Sequence, residues 1–125
     1  MKLTAGVLLY RANQNEIKVL LVNNGKNWSI PKGGVSQKES RRKTAKRELQ
    51  EETNLQAPKK LQKLGWVKKE KRELLHCYMG ELEGRHIPRA SNEIRSARFF
   101  SIKQAMRHVQ KYQIPLLEML LEIVV

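Results

Sequence analysis

Apolar and polar positions divide the chain into short blocks. Leu3 to Tyr10 is an apolar run with β-branched character, and Ile17 to Val22 is a second; both read as strands. Arg11 to Glu16 (RANQNE) between them is polar and predicts a turn, so the two strands form a hairpin. Asn23 to Asn27 (NNGKN) is rich in residues that tolerate positive φ and predicts another turn. Trp28-Ser29-Ile30 is short and extended, because Pro31 disfavours helix in the residue before it. Lys32-Gly33-Gly34 then predicts a loop free to adopt unusual dihedrals. Ser36 to Thr53 predicts the principal helix, with Ser36 and Ser40 as capping candidates. Leu61 to Val67 and Leu74 to Met79 read as strands about a basic turn, Lys68 to Arg72. Glu81 to Asn92 is a loop carrying Gly84 and Pro88, and Ala97 to Ser101 is a further short strand. Ile102 to Lys111 and Ile114 to Ile123 are helical by period, with Pro115 acceptable in a first turn. Strands, helix, strands, helices is the order of an α/β fold, a sheet with helices packed on it.

A length of 125 residues suits one domain, residues 1–125. The single cysteine, Cys77, excludes an intramolecular disulfide framework and fits a reducing compartment. Met1 to Tyr10 does not read as a secretion signal, and no apolar stretch reaches membrane-spanning length. The expectation is a soluble, cytoplasmic protein with no membrane partner. Ile114 to Val125, the longest apolar stretch, is broken by Pro115, Glu118 and Glu122, and serves a homodimer as readily as a monomer's core.

Charge narrows the partners. The chain has 25 Lys+Arg against 12 acids, a net +13, which favours phosphorylated metabolites or nucleic acid, or else is a solvated basic surface. All the acids are glutamates, and Glu39, Glu48, Glu51 and Glu52 are gathered in one stretch. At about 100° per residue, Glu48, Glu51 and Glu52 share one face of the predicted helix. Adjacent carboxylates repel, so a bare helix gains nothing from this unless a cation offsets it. Oxygen ligands suit Mg²⁺ or Mn²⁺, with substrate phosphates completing the shell. Arg47 stands four residues before Glu51 and is placed to pair with it. On a regular helix Glu39 lies about half a turn out of phase with Glu48 and is expected to cap or brace the preceding loop, unless the helix starts after it.

Other residues have quieter readings. Cys77 lies in an apolar strand and reads as a buried structural thiol. His76, His86 and His108 lack metal-ligand spacing, although His86 sits in a loop within reach of substrate. Trp28 either stacks on a base or packs beneath the glycine loop; Trp66 and Tyr78 read as core or site wall. Lys59 to Arg72 holds seven basic residues, a solvated hairpin or a guide for a polyphosphate or RNA end.

From Gly33 to Leu55 the chain resembles the Nudix hydrolase family (MutT-like and diadenosine polyphosphate hydrolase-like proteins). The family's box is Gly, five residues, Glu, seven residues, Arg-Glu, an aliphatic, any residue, Glu-Glu, any residue, Gly, an aliphatic. Here Gly33, Glu39, Arg47, Glu48, Leu49, Glu51, Glu52 and Leu55 match, and Asn54 stands in place of glycine. Asn tolerates a left-handed helix end next best, so an intact cap is expected, and Asn54→Gly is expected to stabilise. The resemblance implies an α/β/α sandwich around a mixed sheet. It implies Glu48, Glu51, Glu52 and the Lys32 backbone carbonyl as metal ligands, with one glutamate serving as base. Gly33, Glu39 and Arg47 would be structural, and Lys32, Gly33 and Trp28 would meet substrate. A further carboxylate from a downstream loop acts in many members, and Glu93 is the candidate here. The implied activity is metal-dependent pyrophosphohydrolysis of a nucleotide-type substrate, with dinucleoside polyphosphates or nucleoside triphosphates favoured. The alternatives are an RNA 5′-end pyrophosphohydrolase and a non-catalytic nucleotide- or RNA-binding module.

Overall fold

A computed structural model describes residues 1–124. Strands β1 (Lys2–Asn13) and β2 (Glu16–Asn23) form the first hairpin. They run further than the apolar pattern indicates, because Arg11, Ala12 and Asn13 pair with Lys18, Ile17 and Glu16. Only Gln14 and Asn15 form the turn, both with positive φ (46° and 69°), as a two-residue hairpin of this hand requires. Strand β3 (Trp28–Ser29) follows, then β4 (Lys32–Gly34). The expected Lys32–Gly34 loop is thus a strand, antiparallel to Thr4–Gly6 of β1.

The principal helix, α1, spans Arg41–Thr53 and is shorter than expected. Ser36 to Glu39 forms a turn instead: the Ser36 carbonyl accepts from Glu39 N and its hydroxyl from Lys38 N. Such local side-chain bonds compete with helix. Ser40 is the N-cap, its hydroxyl accepting from Lys43 N at 3.1 Å. Strands β5 (Gln62–Lys69), β6 (Glu73–Glu81) and β7 (Ser96–Ser101) come next. Helix α2 (Ile102–His108) stops short of the expected Lys111. Val109 turns extended to bridge Trp28, and Gln110 N donates to the Trp28 carbonyl. A 3₁₀ turn (Lys111–Gln113) leads into α3 (Ile114–Val124).

Among the described residues seven strands make one mixed sheet, with β3, β2, β1, β6 and β5 in order, β4 beside β1 and β7 beside β2. The β1–β6 pair is parallel and the others are antiparallel. Alternation in the strands feeds two cores. Ala5, Val7, Leu9, Leu20 and Tyr78 face α1, meeting Ala45 and Leu49. Leu8, Val19, Leu21, Leu75, Cys77 and Met79 face α2 and α3, meeting Ala105, Leu116, Leu117 and Leu120. The result is the expected α/β/α sandwich. Cys77 is buried as read from sequence, and burial pushes its thiol up to about 12. Trp66 departs from expectation: it lies on the edge strand β5 and is 54% exposed. No helix among the described residues is long and apolar enough to cross a membrane.

Candidate active site

Helix α1 is held against the sheet by Ala45, Leu49 and Thr53, buried and one turn apart along a single stripe, with the buried Thr44 beside them. The flank adjoining this stripe carries Glu48, Glu51 and Glu52 in the helix's second half. These three line a cleft of about 390 Å³ together with Lys32, Asn27, Asn92 and Glu93. The sequence-derived carboxylates therefore converge. A larger hollow of about 600 Å³ lies near Tyr10, Pro58 and Gly80, away from this convergence.

Arg47 organises the acids. Its Nε and Nη2 grip Glu39 at 2.9 and 3.0 Å, while Nη1 reaches Glu48 at 2.9 Å and Glu51 at 3.2 Å. The fork-shaped guanidinium suits such multidentate pairing. Glu39 also accepts from Thr44 Oγ1 at 3.1 Å and so braces the entry to α1; the helix begins only after it, at Arg41, so the helical phase relation to Glu48 does not apply. Arg47 hydrogen bonds hold Glu39 below the ordinary carboxylate range and raise Arg47 in turn.

Glu52 is the opposite case. Burial first, then its hydrogen bond and charge contact with Glu48, push it up to about 8, against the opposing pull of Lys32. Gly33 of β4 lies directly against this pair: a Cβ there would land on the Glu48 carboxylate. The glycine supplies space rather than an unusual dihedral, since its φ is not positive.

Lys32 is fixed by a network invisible in the sequence. Its ammonium sits 3.0 Å from Glu73, which also accepts from Thr4 Oγ1 at 2.9 Å and lies 3.4 Å from the Tyr112 hydroxyl. Burial pulls the Lys32 pKa down, but Tyr112 and Glu73 outweigh it and the net shift is upward. The buried Gln113 takes the Ile30 N–H on its carbonyl at 3.0 Å and donates to Ser29 Oγ and Tyr112 at 2.9 Å each. It thereby fixes the chain entering β4.

Glu93 reaches the cleft because the end of α1 recruits its loop. The orphan carbonyls of the last turn need donors. Arg89 N donates to the Thr53 carbonyl at 2.9 Å, Ser91 N to that of Glu52 at 3.3 Å, and the Ser91 hydroxyl to that of Glu51. Asn92, at φ 64°, then turns Glu93 towards the acids. Asn54 is the left-handed cap expected (φ 61°), and its amide also donates to the Arg89 carbonyl at 2.8 Å.

Trp28 is set beside rather than on the cleft. It packs edge-on against Phe100, 4.9 Å between centroids, with the Arg98 guanidinium 5.4 Å over its ring. His86 also lies outside the cleft lining; its carbonyl accepts from Arg11.

The donor set fits a hard divalent cation: clustered carboxylate oxygens, the Gly33 backbone approaching them with no Cβ between, and a proton retained by Glu52 where a counter-charge is wanted. Among the described residues no three His, Cys or Glu side chains are gathered closely enough to hold an ion unaided. Glu48 and Glu51 are turned towards Arg47, and Mg²⁺ commonly relies on water and substrate oxygens for much of its shell.

The carboxylate-bearing helix thus lies on a mixed sheet flanked on its other face by helices. Known structures share that architecture. The Ap4A hydrolase of C. elegans, in a binary complex, superposes with a TM-score of 0.85 at 19% identity over 99% of this chain and 98% of its own. The NUDIX domain of Shewanella oneidensis NrtR, in complex with ADP ribose, gives 0.83 at 20% identity over 100% and 89%. The MutT protein of Methanosarcina mazei gives 0.77 at 20% over 99% and 96%. At these identities the likeness is one of fold. No curated protein sequence matches. The NUDIX domain model, however, matches residues 1–120. The chain belongs to the Nudix family and is a hydrolase of phosphorus-containing anhydrides.

Proposed function

We propose that this protein is a Mg²⁺- or Mn²⁺-dependent pyrophosphohydrolase acting on a nucleotide-type substrate, with dinucleoside polyphosphates or nucleoside triphosphates favoured. The observation that carries the reading is the meeting of Glu48, Glu51, Glu52 and Glu93 with Lys32 in one cleft. Glu48, Glu51, Glu52 and the Lys32 carbonyl would hold the cation. When bound, it neutralises phosphate oxygens and acidifies water. One glutamate, Glu93 or a member of the helix trio, takes the proton from the attacking water. The water oxygen bonds to one phosphorus, the bridging P–O bond breaks, and the phosphate beyond it leaves. The Lys32 ammonium, restrained by Glu73, steadies the anion. Arg47 stays structural, because its donors are committed to Glu39, Glu48 and Glu51.

Two structural relatives are named for Ap4A hydrolysis and for an ADP-ribose complex, which supports a nucleotide substrate here. The net charge of +13 favours a second reading, an RNA 5′-end pyrophosphohydrolase. A phosphate-release panel with Mg²⁺ separates them: Ap4A, nucleoside triphosphates, inositol pyrophosphates and 5′-triphosphorylated RNA. Turnover of a small nucleotide well above that of the RNA end supports the first reading. Turnover of none, with nucleotide or RNA binding retained, would identify a non-catalytic module instead.

A further inference from the structure

The face of the sheet that α1 covers is left open beyond the helix's first turn. There β5 and β6 bring side chains together in register: Trp66 lies opposite His76, Lys63 opposite Tyr78, and Lys68 opposite Leu74. Arg41, at the start of α1, closes the group, with its guanidinium 2.9 Å from the His76 ring. A hollow of about 220 Å³ is lined by Arg41, Lys63, Trp66, His76 and Tyr78 and shares no residue with the carboxylate cleft. Trp66 is 54% exposed, and the Lys68 ammonium lies 6.0 Å from its ring centre. Among the described residues no carboxylate pairs with Arg41, Lys63 or Lys68.

Edge lysines discourage strand-to-strand association, which accounts for Lys63 and Lys68 on β5. That does not account for an exposed indole between them, which works against solubility. Unpaired cations around an accessible aromatic face match a chain of phosphates carrying unstacked bases: the cations track the backbone and the ring takes a base. An acidic peptide satisfies the cations but leaves the indole unmatched.

We propose that the Trp66 face docks a single-stranded oligonucleotide, apart from the hydrolytic cleft. The face is independent of which anhydride the cleft cuts.

The test is fluorescence anisotropy with a labelled 5′-hydroxyl oligouridylate of about twelve nucleotides, the intact protein, and EDTA to silence hydrolysis. The wild type binds with an affinity that falls steeply with salt. Trp66→Ala weakens binding about tenfold, the loss of one stacked base, and Trp66→Phe restores most of it. Lys63→Glu, on the same face, weakens binding and flattens the salt dependence. Inorganic polyphosphate binding falls with Lys63→Glu but not with Trp66→Ala, and small-nucleotide hydrolysis is unchanged in Trp66→Ala. The proposal is overturned if the wild type does not bind the oligomer, or if Trp66→Ala binds it normally. It is equally overturned if duplex RNA or polyglutamate competes as well as the single strand.

Discussion

Glu52 makes the metal-free protein's stability depend on pH in an unusual direction. Its carboxyl titrates at about 8 in the fold against 4.5 as the ordinary value, because burial and Glu48 disfavour its anion. Above pH 4.5 the unfolded chain releases this proton while the folded chain keeps it. Stability from that proton is therefore full below 4.5 and is lost as pH rises towards 8. At about 1.4 kcal/mol per unit the ceiling is about 5 kcal/mol. Relaxation and water entry around the pair reduce this to about 2 kcal/mol, or about 8 °C in Tm for a domain of this size.

The window is nearly clean. Glu39 and Glu73 are shifted down and act below the ordinary glutamate range, while Cys77, Tyr10 and Tyr112 are shifted up and act above it. His76 acts within the window. Burial and its cationic neighbours lower its pKa, so it works with the opposite sign, stabilising as pH rises through the ordinary histidine range. Comparison with Glu52→Gln isolates the glutamate, because the amide mimics the protonated acid at every pH. Thermal melts in EDTA between pH 5 and 8.5 should show the wild type falling relative to Glu52→Gln by about 8 °C. Mg²⁺ should recover the loss at pH 8.5, since the cation replaces the proton. Parallel pH profiles for the two proteins would rule out a proton held on Glu52 in the fold.

The glycine of β4 offers a second perturbation: Gly33→Ala places a methyl on the Glu48 carboxylate, and should cost about 1–3 kcal/mol in denaturant unfolding. Displacing that carboxylate by about 1 Å should cut kcat about 100-fold in a phosphate-release assay. Arg47→Lys keeps the charge but loses the fork that holds three glutamates, so kcat should fall at least about tenfold while circular dichroism stays native. For Asn54→Gly, relief of the left-handed backbone is now set against loss of the amide bond to Arg89. The expected gain shrinks to a Tm change within about 2 °C, and Asn54→Ala, which keeps neither advantage, should cost about 1 kcal/mol.

The strands and helices were legible where one side of an element is buried, because burial imposes the period. Legibility failed at junctions. Ser36 to Glu39 has helical composition but spends its side chains on local bonds. Lys32 to Gly34 suggested conformational freedom, whereas Gly33 is needed for room beside Glu48. Trp66 suggested burial by type alone, yet β5 is an edge and leaves its ring open.

The helix half of the site was readable because Glu48, Glu51, Glu52 and Arg47 are related by helix geometry alone. Glu93 came from resemblance, with no local reason to reach the cleft. The contacts that bring it there join Ser91 to Glu51, 40 residues away. The Lys32–Glu73 pair and the Gln113 bond to Ile30, spanning 83 residues, left no trace in any local pattern. Such partners are set by sheet order and by where α3 begins, which periodicity does not encode.

On the proposed mechanism the α1 carboxylates hold the divalent cation on which hydrolysis depends. Its most direct test is phosphate release from Ap4A or a nucleoside triphosphate, titrated with Mg²⁺, for the wild type, Glu51→Gln and Glu52→Gln. Turnover in the wild type should depend on Mg²⁺ and should fall to background in both variants, with folding preserved. Near-normal rates at saturating Mg²⁺ in both variants would contradict it.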